Sequence, residues 1–182
     1  MNAGEHTIAG FAADLAAKQP TPGGGAAAAV CAAMACATGA MACRYTTGER
    51  YPTVSVQAEA CARELDEWRS QALILADADA TAYAQVRAAK QAKDSARIAT
   101  AEAAAAAVPG RLIALCVDAA TACTTFRPLC NPWLVSDIDT AVHLLAGVGR
   151  AAWRTLLINR PSAEVTQQAQ EHLSTLRGLE QS

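Results

Sequence analysis

Residues 54–86 read VSVQAEACARELDEWRSQALILADADATAYAQV, and apolar side chains recur along this stretch in alternating steps of four and three. The members of the stripe are Val54, Ala58, Cys61, Leu65, Trp68, Ala72, Leu75, Asp79, Ala82 and Val86. This period is that of one face of an α-helix, so the stretch predicts a helix of about thirty residues. One member of the stripe, Asp79, carries a charge.

Six further segments show helical spacing, and none shows the alternation of a strand. The predicted segments run from about Thr7 to before Pro20, from the glycines to about Arg44, over Asp94–Ala107, from about 112 to near Pro128, over Ser136–Asn159, and onward from Ser162. Pro109 is expected to separate the fourth segment from the fifth. We therefore predict an all-α fold, a single-domain antiparallel bundle of about seven helices over residues 1–182.

Composition argues against several classes of partner. The net charge is −2 and the chain has only three lysines, so no basic face for nucleic acid is expected. The apolar run 26–43 is mostly Ala, Gly, Cys and Thr, which favours a buried helix over a membrane span. Seven cysteines and no secretory signal pattern predict reduced thiols and a cytoplasmic protein, and the three histidines lack metal-ligand spacing.

The segment PTPGGG at residues 20–25 precedes a run of alanines. Glycines at the start of a helix expose unpaired N–H groups at the positive end of the helix dipole. Such a loop can hold a carboxylate, a carbonyl oxygen or an amide-bearing ring. The alternative is a tight turn between helices that needs glycine only for its backbone dihedrals.

Two further places have candidate polar groups. A carboxylate at Asp79 needs a partner or a polar cavity, and desolvation would raise its pKa toward the range useful for proton transfer; alternatively, the helix turns to the surface there. Asp77 lies off the stripe and is expected to be solvated. In NPWLVSDID, residues 131–139, Ser136 and Asp139 fit a capping box, and Asn131 can donate and accept hydrogen bonds.

Four motifs occur in an order that resembles the cyclodeaminase/cyclohydrolase family over nearly the whole chain. They are FxxxLAxxxPTPGGGxAAA from Phe11 to Ala29, DxDxxAY from Asp77 to Tyr83, NPxxVSD from Asn131 to Asp137, and the pair Ile158–Asn159. This family includes the cyclodeaminase part of formimidoyltransferase-cyclodeaminase and the stand-alone methenyltetrahydrofolate cyclohydrolases. The PTPGGG element is the most specific of the four.

The resemblance implies a helical homodimer with folate sites near the dimer interface, a tetrahydrofolate derivative as substrate, and no cofactor or metal. It implies that Asp79, Asn131, Ser136 and Asp137 gather around the reacting carbon, with Asp79 as the first candidate for the proton carrier, Asp137 as the second, and Asn131 orienting the substrate. The substrate-binding residues that it implies are Pro22, Gly23, Gly24, Gly25, Tyr83, Trp133, Ser136 and Asn159.

The implied reaction is hydrolysis of 5,10-methenyltetrahydrofolate to 10-formyltetrahydrofolate, or cyclodeamination of 5-formiminotetrahydrofolate. The chain departs from the family pattern at several positions. Cys130 stands where glycine is usual, and Trp133 and Thr155 stand where amides are usual. The family also has a lysine after Tyr83, for which Lys93 is the nearest candidate here.

Two alternatives follow from these departures. One is recruitment of the fold to another C–N ring-opening or ring-closing reaction, as in secondary metabolism; the other is a non-catalytic folate-binding or dimerisation module.

Overall fold

The computed structural model describes residues 2–181, which form six α-helices and two short 3₁₀ turns and contain no strand. The α-helices are α1 (Ile8–Ala16), α2 (Gly24–Arg44), α3 (Ser55–Ala92), α4 (Ser95–Phe126), α5 (Val135–Ile158) and α6 (Ala163–Glu180). The all-α prediction is confirmed. The long amphipathic helix predicted from residues 54–86 is α3, and its stripe is buried except where Val54, Trp68, Asp79 and Val86 are half-buried.

Helices α2 to α5 form an antiparallel four-helix bundle. Each packs against the next, α2 also packs against α5, and α6 lies against α4 and α5. The directions follow from contacts at the two ends: Ala26 of α2 meets Asp79 of α3, and Arg44 at the other end of α2 pairs with Asp66. The bundle therefore has one end where α2 begins and α5 ends, and an opposite end where α2 ends and α5 begins.

The small side chains of α2 allow its neighbours to approach closely. Ala32, Ala35 and Ala40 are fully buried. A Cβ added at Gly39 would lie 2.9 Å from the Cys123 sulfur and 3.2 Å from a methyl of Leu65. Close packing of this kind is the reason that an alanine-rich chain with few aromatics can still form a dense core.

Helices α2 and α4 also satisfy, by length and apolar composition alone, the criteria for crossing a membrane. The qualifying window of α2 is 61% buried inside the protein and that of the segment Ser95–Leu129 is 50% buried. The core helix of a bundle passes the same test, so these two helices are weak evidence for a membrane span.

The prediction of a helix break at Pro109 is wrong, because α4 continues through it from Ser95 to Phe126. A proline inside a helix removes one hydrogen bond and costs about 3 kcal/mol. Pro109 is buried, and α4 packs on α3, α5 and α6, so tertiary contacts offset this cost. Residues 2–181 consequently form six α-helices where the sequence predicts about seven.

Candidate functional site

A cavity of about 460 Å³ opens at the end of the bundle where α2 begins and α5 ends. Four chain segments meet around it: the glycine loop, the second half of α3, the start of α4 and the end of α5. The lining residues are Pro20, Thr21, Gly23, Gly24, Gly25, Asp79, Ala82, Tyr83, Val86, Lys90, Glu102, Ala105, Thr155, Ile158 and Asn159. The cavity thus combines apolar walls with a few polar groups, which is the usual composition of a small-molecule site.

Asp79 reaches across the cavity floor to the start of α2. Its Oδ2 accepts a hydrogen bond of 3.1 Å from the backbone N–H of Ala26. A Cβ added at Gly25 would overlap the Asp79 carboxylate, whereas a Cβ at Gly23 or Gly24 would meet no atom within 4 Å. Gly25 is therefore required for the close approach of the acid to the helix end. The turn that leads into it contains a cis peptide bond between Thr21 and the buried Pro22.

The environment of Asp79 disfavours its ionised form. Burial removes water from the carboxylate and raises its pKa above that of an exposed aspartate, although the hydrogen bond from the Ala26 N–H acts in the opposite direction. The side chain is half-buried and still faces the cavity. An acid with a raised pKa can exchange a proton with a bound molecule at a pH closer to neutral than an exposed aspartate can.

Asn159 lies on the opposite wall, and a proline explains its orientation. Pro109 has no N–H, so the carbonyl of Ala105, four residues earlier, lacks its ordinary helical donor. The Asn159 side-chain amide donates to that carbonyl over 3.2 Å. This fixes the Asn159 nitrogen on α4 and leaves its side-chain oxygen as an acceptor at the cavity. The predicted helix breaker and the predicted binding residue thus belong to one local arrangement.

The sequence reasoning missed Lys90 and Glu102, which form an ion pair of 2.8 Å at the cavity mouth. Lys90 lies four residues after Val86 and so on the same side of α3, and this spacing was the available signal. Lys93, the lysine favoured from the sequence, instead ends α3 with a left-handed φ of 54° and is exposed. Glu102 has no comparable signal, since only the packing of α4 on α3 brings it to Lys90.

The four predicted residues of the NPxxVSD motif are not brought to this cavity within one chain. Asn131 lies at the opposite end of the bundle, where its backbone N–H donates to Thr46 just after α2. Trp133 is 90% exposed, Ser136 is exposed and Asp137 is half-buried. From Ala26 to Thr46 is twenty residues of mostly helical chain, or roughly 30 Å. The expected gathering of Asp79 with Asn131, Ser136 and Asp137 therefore does not occur in a single protomer.

Two local expectations about acidic side chains are wrong. The predicted capping box at Ser136 does not form, because α5 begins at Val135 without a side-chain cap and Asp139 pairs with Arg127 at 2.6 Å. Asp77 is not simply solvated, because its Oδ1 accepts the backbone N–H of Ala3 at 3.0 Å. Asp77 thus holds the N-terminal segment onto α3, and it is not among the residues that line the Asp79 cavity.

The groove between α3 and α4 and the cysteines lack comparable chemistry for binding a small molecule. A groove of about 650 Å³ lies between α3 and α4 and is lined mainly by small side chains, with Arg97 as its one charged residue. Six of the seven cysteines are buried and Cys31 is exposed. Within residues 2–181, no three His, Cys, Asp or Glu side chains are placed to hold one metal ion. The Asp79 cavity is therefore the candidate site.

Comparison with known proteins agrees with the fold and the motifs. Residues 7–177 match the family model described as formiminotransferase-cyclodeaminase. The structure resembles the crystal structure of formiminotetrahydrofolate cyclodeaminase from Thermotoga maritima with a TM-score of 0.92 and 27% sequence identity. The match covers 98% of this chain and 93% of that chain. The search of curated proteins found no match.

Gly25→Ala tests the close approach at the cavity floor. The added methyl must displace the Asp79 carboxylate, so we expect the free energy of unfolding to fall by about 1–3 kcal/mol in urea titrations. Gly24→Ala is the matched control, because a Cβ there meets nothing within 4 Å and the two sites share the start of one helix. Equal stability of the two variants would contradict the required contact.

Asp79→Asn tests the electrostatic cost of the buried acid. Because the pKa of Asp79 is raised in the folded state, ionisation of this residue destabilises the fold. The protonated Asp79 therefore contributes to stability at low pH, and this contribution is lost as the pH rises through the folded-state pKa. The variant should therefore exceed the wild type in stability at neutral pH, and the gap should close near pH 4. Urea titrations from pH 4 to 8, with the exposed Asp118→Asn as control, measure this; a gap that widens on acidification would refute it.

Proposed function

The chain belongs to the formiminotransferase-cyclodeaminase family, and we propose that it is a folate enzyme that closes or opens a C–N bond at the one-carbon unit of tetrahydrofolate. The similarity to a formiminotetrahydrofolate cyclodeaminase over 98% of this chain favours cyclodeamination as the reaction. The observation that carries the proposal is the half-buried Asp79 at the floor of a cavity beside the glycine-rich start of α2.

The cavity suits a flat, partly apolar ring system. Ala82, Val86 and Ile158 provide apolar walls, and Tyr83 provides an aromatic one. The flat backbone at Gly23 and Gly24 leaves room for a ring to lie against the loop, since no side chain stands there. The side-chain oxygen of Asn159 supplies an acceptor for a ring N–H. Binding by this wall would place the reacting carbon near the Asp79 carboxylate.

Asp79 would act first as base and then as acid in cyclodeamination. The formimino group is an amidine, and it is protonated at neutral pH. As N10 attacks its carbon, the N10 proton passes to the Asp79 carboxylate and a tetrahedral intermediate forms. The protonated Asp79 then gives this proton to the amino group, the C–N bond breaks, and ammonia leaves with the methenyl cation behind it. A carboxylic acid with a raised pKa suits both transfers.

The same residue would also serve hydrolysis of the methenyl bridge. The negative charge of the Asp79 carboxylate first stabilises the methenyl cation. The carboxylate then takes a proton from water as the water oxygen bonds to the bridging carbon. The acid then protonates N5 as the carbon–N5 bond breaks, while the hydroxyl proton goes to solvent, which leaves 10-formyltetrahydrofolate. Thr155 lines the cavity at a position where the resemblance to the family implies an amide.

Turnover by Asp79→Asn tests the proposal. Wild type should convert 5-formiminotetrahydrofolate with growth of the near-ultraviolet methenyl band, or hydrolyse methenyltetrahydrofolate with decay of that band. We expect the variant to lose a factor of about 10²–10⁴ in kcat, the range for removal of a general acid–base group. Asp77→Asn is the control, since an amide oxygen there can still accept from Ala3.

The outcomes of this assay distinguish the candidate functions of the protein. Growth of the band supports cyclodeamination, and decay supports hydrolysis. Full activity in Asp79→Asn contradicts the role given to this acid. Binding of both folates by the wild type without turnover favours a folate-binding module, and absence of both binding and turnover favours a different ring substrate.

We further propose that the active unit is a homodimer. One face of α2 is uncovered in the protomer and its accessible side chains are uncharged, while Arg44, at the edge of this face, pairs with Asp66 of α3. The accessible residues of this face are Ala27, Val30, Cys31, Met34, Ala37, Thr38, Met41 and Tyr45. These positions fall within about a third of the helix circumference, so they form one continuous strip from the cavity end to the opposite end. A second copy of this uncharged strip is a complementary partner for it.

A two-fold axis near Met34, the middle of α2, would join the two halves of the predicted site. Antiparallel packing of the two α2 helices lays the end of one protomer against the beginning of the other. Asn131, Ser136 and Asp137 of one copy would then stand beside the Asp79 cavity of its partner. The roughly 30 Å that separates these groups within one chain is thereby bridged across the interface.

Mixing two inactive variants tests this arrangement. If Asp79 and Asp137 act in one site across the interface, a heterodimer of Asp79→Asn with Asp137→Asn has one site with both defects and one intact site. Random exchange makes half of the dimers mixed, so about a quarter of wild-type activity should return. Exchange seen by native mass spectrometry without recovered activity would contradict the shared site, as would full activity of Asp137→Asn alone.

A further inference from the structure

A cluster of buried thiols lies at the end of the bundle opposite the Asp79 cavity. Its members are Cys43 at the end of α2, Cys61 near the start of α3, Cys123 near the end of α4 and Cys130 between α4 and α5. All four are buried. Buried cysteines commonly serve only as small apolar side chains, so a chemical role for any of them needs a specific arrangement of the sulfur atoms.

The packing of α2 on α3 sets Cys43 and Cys61 opposite each other. A Cβ added at Gly39 would lie 3.2 Å from a methyl of Leu65, and this contact defines the register of the two antiparallel helices. Cys43 is one turn farther along α2 than Gly39, and Cys61 is one turn before Leu65 in α3, so the two thiols occupy facing positions. The Cys43 thiol donates a hydrogen bond to the Cys61 sulfur. Facing sulfurs in direct contact are the arrangement from which a disulfide forms.

The two thiols differ in access and in acidity. Cys43 is fully buried, whereas 8% of Cys61 is exposed. The hydrogen bond from Cys43 lowers the pKa of the Cys61 thiol, against the opposing effects of burial and of Glu64, and the same hydrogen bond together with burial raises the pKa of Cys43. The thiolate is the reactive form of cysteine, and it therefore forms first on the sulfur that solvent reaches. Cys123 is fully buried and burial raises its pKa, so it has neither property.

We propose that Cys61 and Cys43 are a modification site at which a hydroperoxide makes a disulfide between α3 and α2. Cys61 is the residue that the peroxide oxidises first, and Cys43 is the residue that resolves the product. This inference is independent of the proposed folate function, because neither cysteine lines the Asp79 cavity.

The reaction with hydrogen peroxide has two steps. The Cys61 thiolate attacks one peroxide oxygen, the O–O bond breaks, and Cys61 becomes a sulfenic acid while the departing hydroxide takes up the proton that Cys61 released. The Cys43 sulfur then attacks the Cys61 sulfur, the S–O bond breaks, and the hydroxide leaves as water with the Cys43 proton. Two thiols and one peroxide thus give one disulfide and two waters. The sulfurs are oxidised and the peroxide is reduced.

Peptide mapping by mass spectrometry after peroxide treatment tests the site on the full chain. The reduced wild type is treated with increasing hydrogen peroxide in native buffer, its remaining thiols are alkylated in denaturant, and the linked peptides are sequenced by fragmentation. The first disulfide should join Cys43 to Cys61, with the loss of two hydrogens and full reversal by dithiothreitol. Cys43→Ala should lose this disulfide and leave Cys61 as a sulfenic acid, which dimedone traps. Cys61→Ala should lose both products.

Cys123→Ala is the matched control, because it removes a neighbouring buried thiol that the proposal leaves out. This variant should form the Cys43–Cys61 disulfide at the same peroxide concentration as the wild type. Circular dichroism establishes that each variant is folded before it is oxidised. If an alanine variant unfolds, the identity of the first disulfide in the wild type decides the question by itself.

Three results would overturn the assignment. One is oxidation confined to the exposed Cys31 while Cys43 and Cys61 remain thiols. Another is a first disulfide that joins a different pair, and the third is a Cys43–Cys61 disulfide that forms only when the chain is unfolded in denaturant. None of these measurements uses folate turnover, so the thiol site and the proposed function can fail separately.

Discussion

The contact between the Asp79 carboxylate and the backbone at the start of α2 is the constraint on which the site depends. Gly25 permits it because any side chain there would occupy the position of the acid. The Ala26 N–H then gives the carboxylate a partner, while burial keeps its pKa raised. One glycine thus allows an acid to be both held in position and poised to take part in proton transfer.

The rest of the fold can be understood as the support for this contact. The alanine-rich α2 lets α3 and α5 pack closely on either side, which aligns the second half of α3 with the glycine loop. Pro109 removes the helical hydrogen bond to the carbonyl of Ala105 in α4, and the side chain of Asn159, at the end of α5, donates to this carbonyl instead. A backbone defect in one helix thereby fixes a polar side chain of another at the cavity.

Sequence reasoning succeeded where the signal lies within one helix. The period of residues 54–86 predicted α3 and marked Asp79 as the exceptional member of its stripe. The predictions were wrong where contacts between helices determine the local structure. Helix α4 continues through Pro109 because neighbouring helices stabilise it. Asp139 pairs with Arg127 instead of capping α5. Glu102 could not be predicted, since only the packing of α4 on α3 places it beside Lys90. The separation of Asn131 from Asp79 likewise depends on which ends of the helices meet.

Titration of the Asp79 side-chain carboxyl by ¹³C nuclear magnetic resonance tests the central claim most directly, because it reports the protonation of that one group in the folded protein. The account predicts an apparent pKa above that of an exposed aspartate. A value at or below that of an exposed aspartate would contradict the account, since the acid would then lack the desolvated environment on which its role depends.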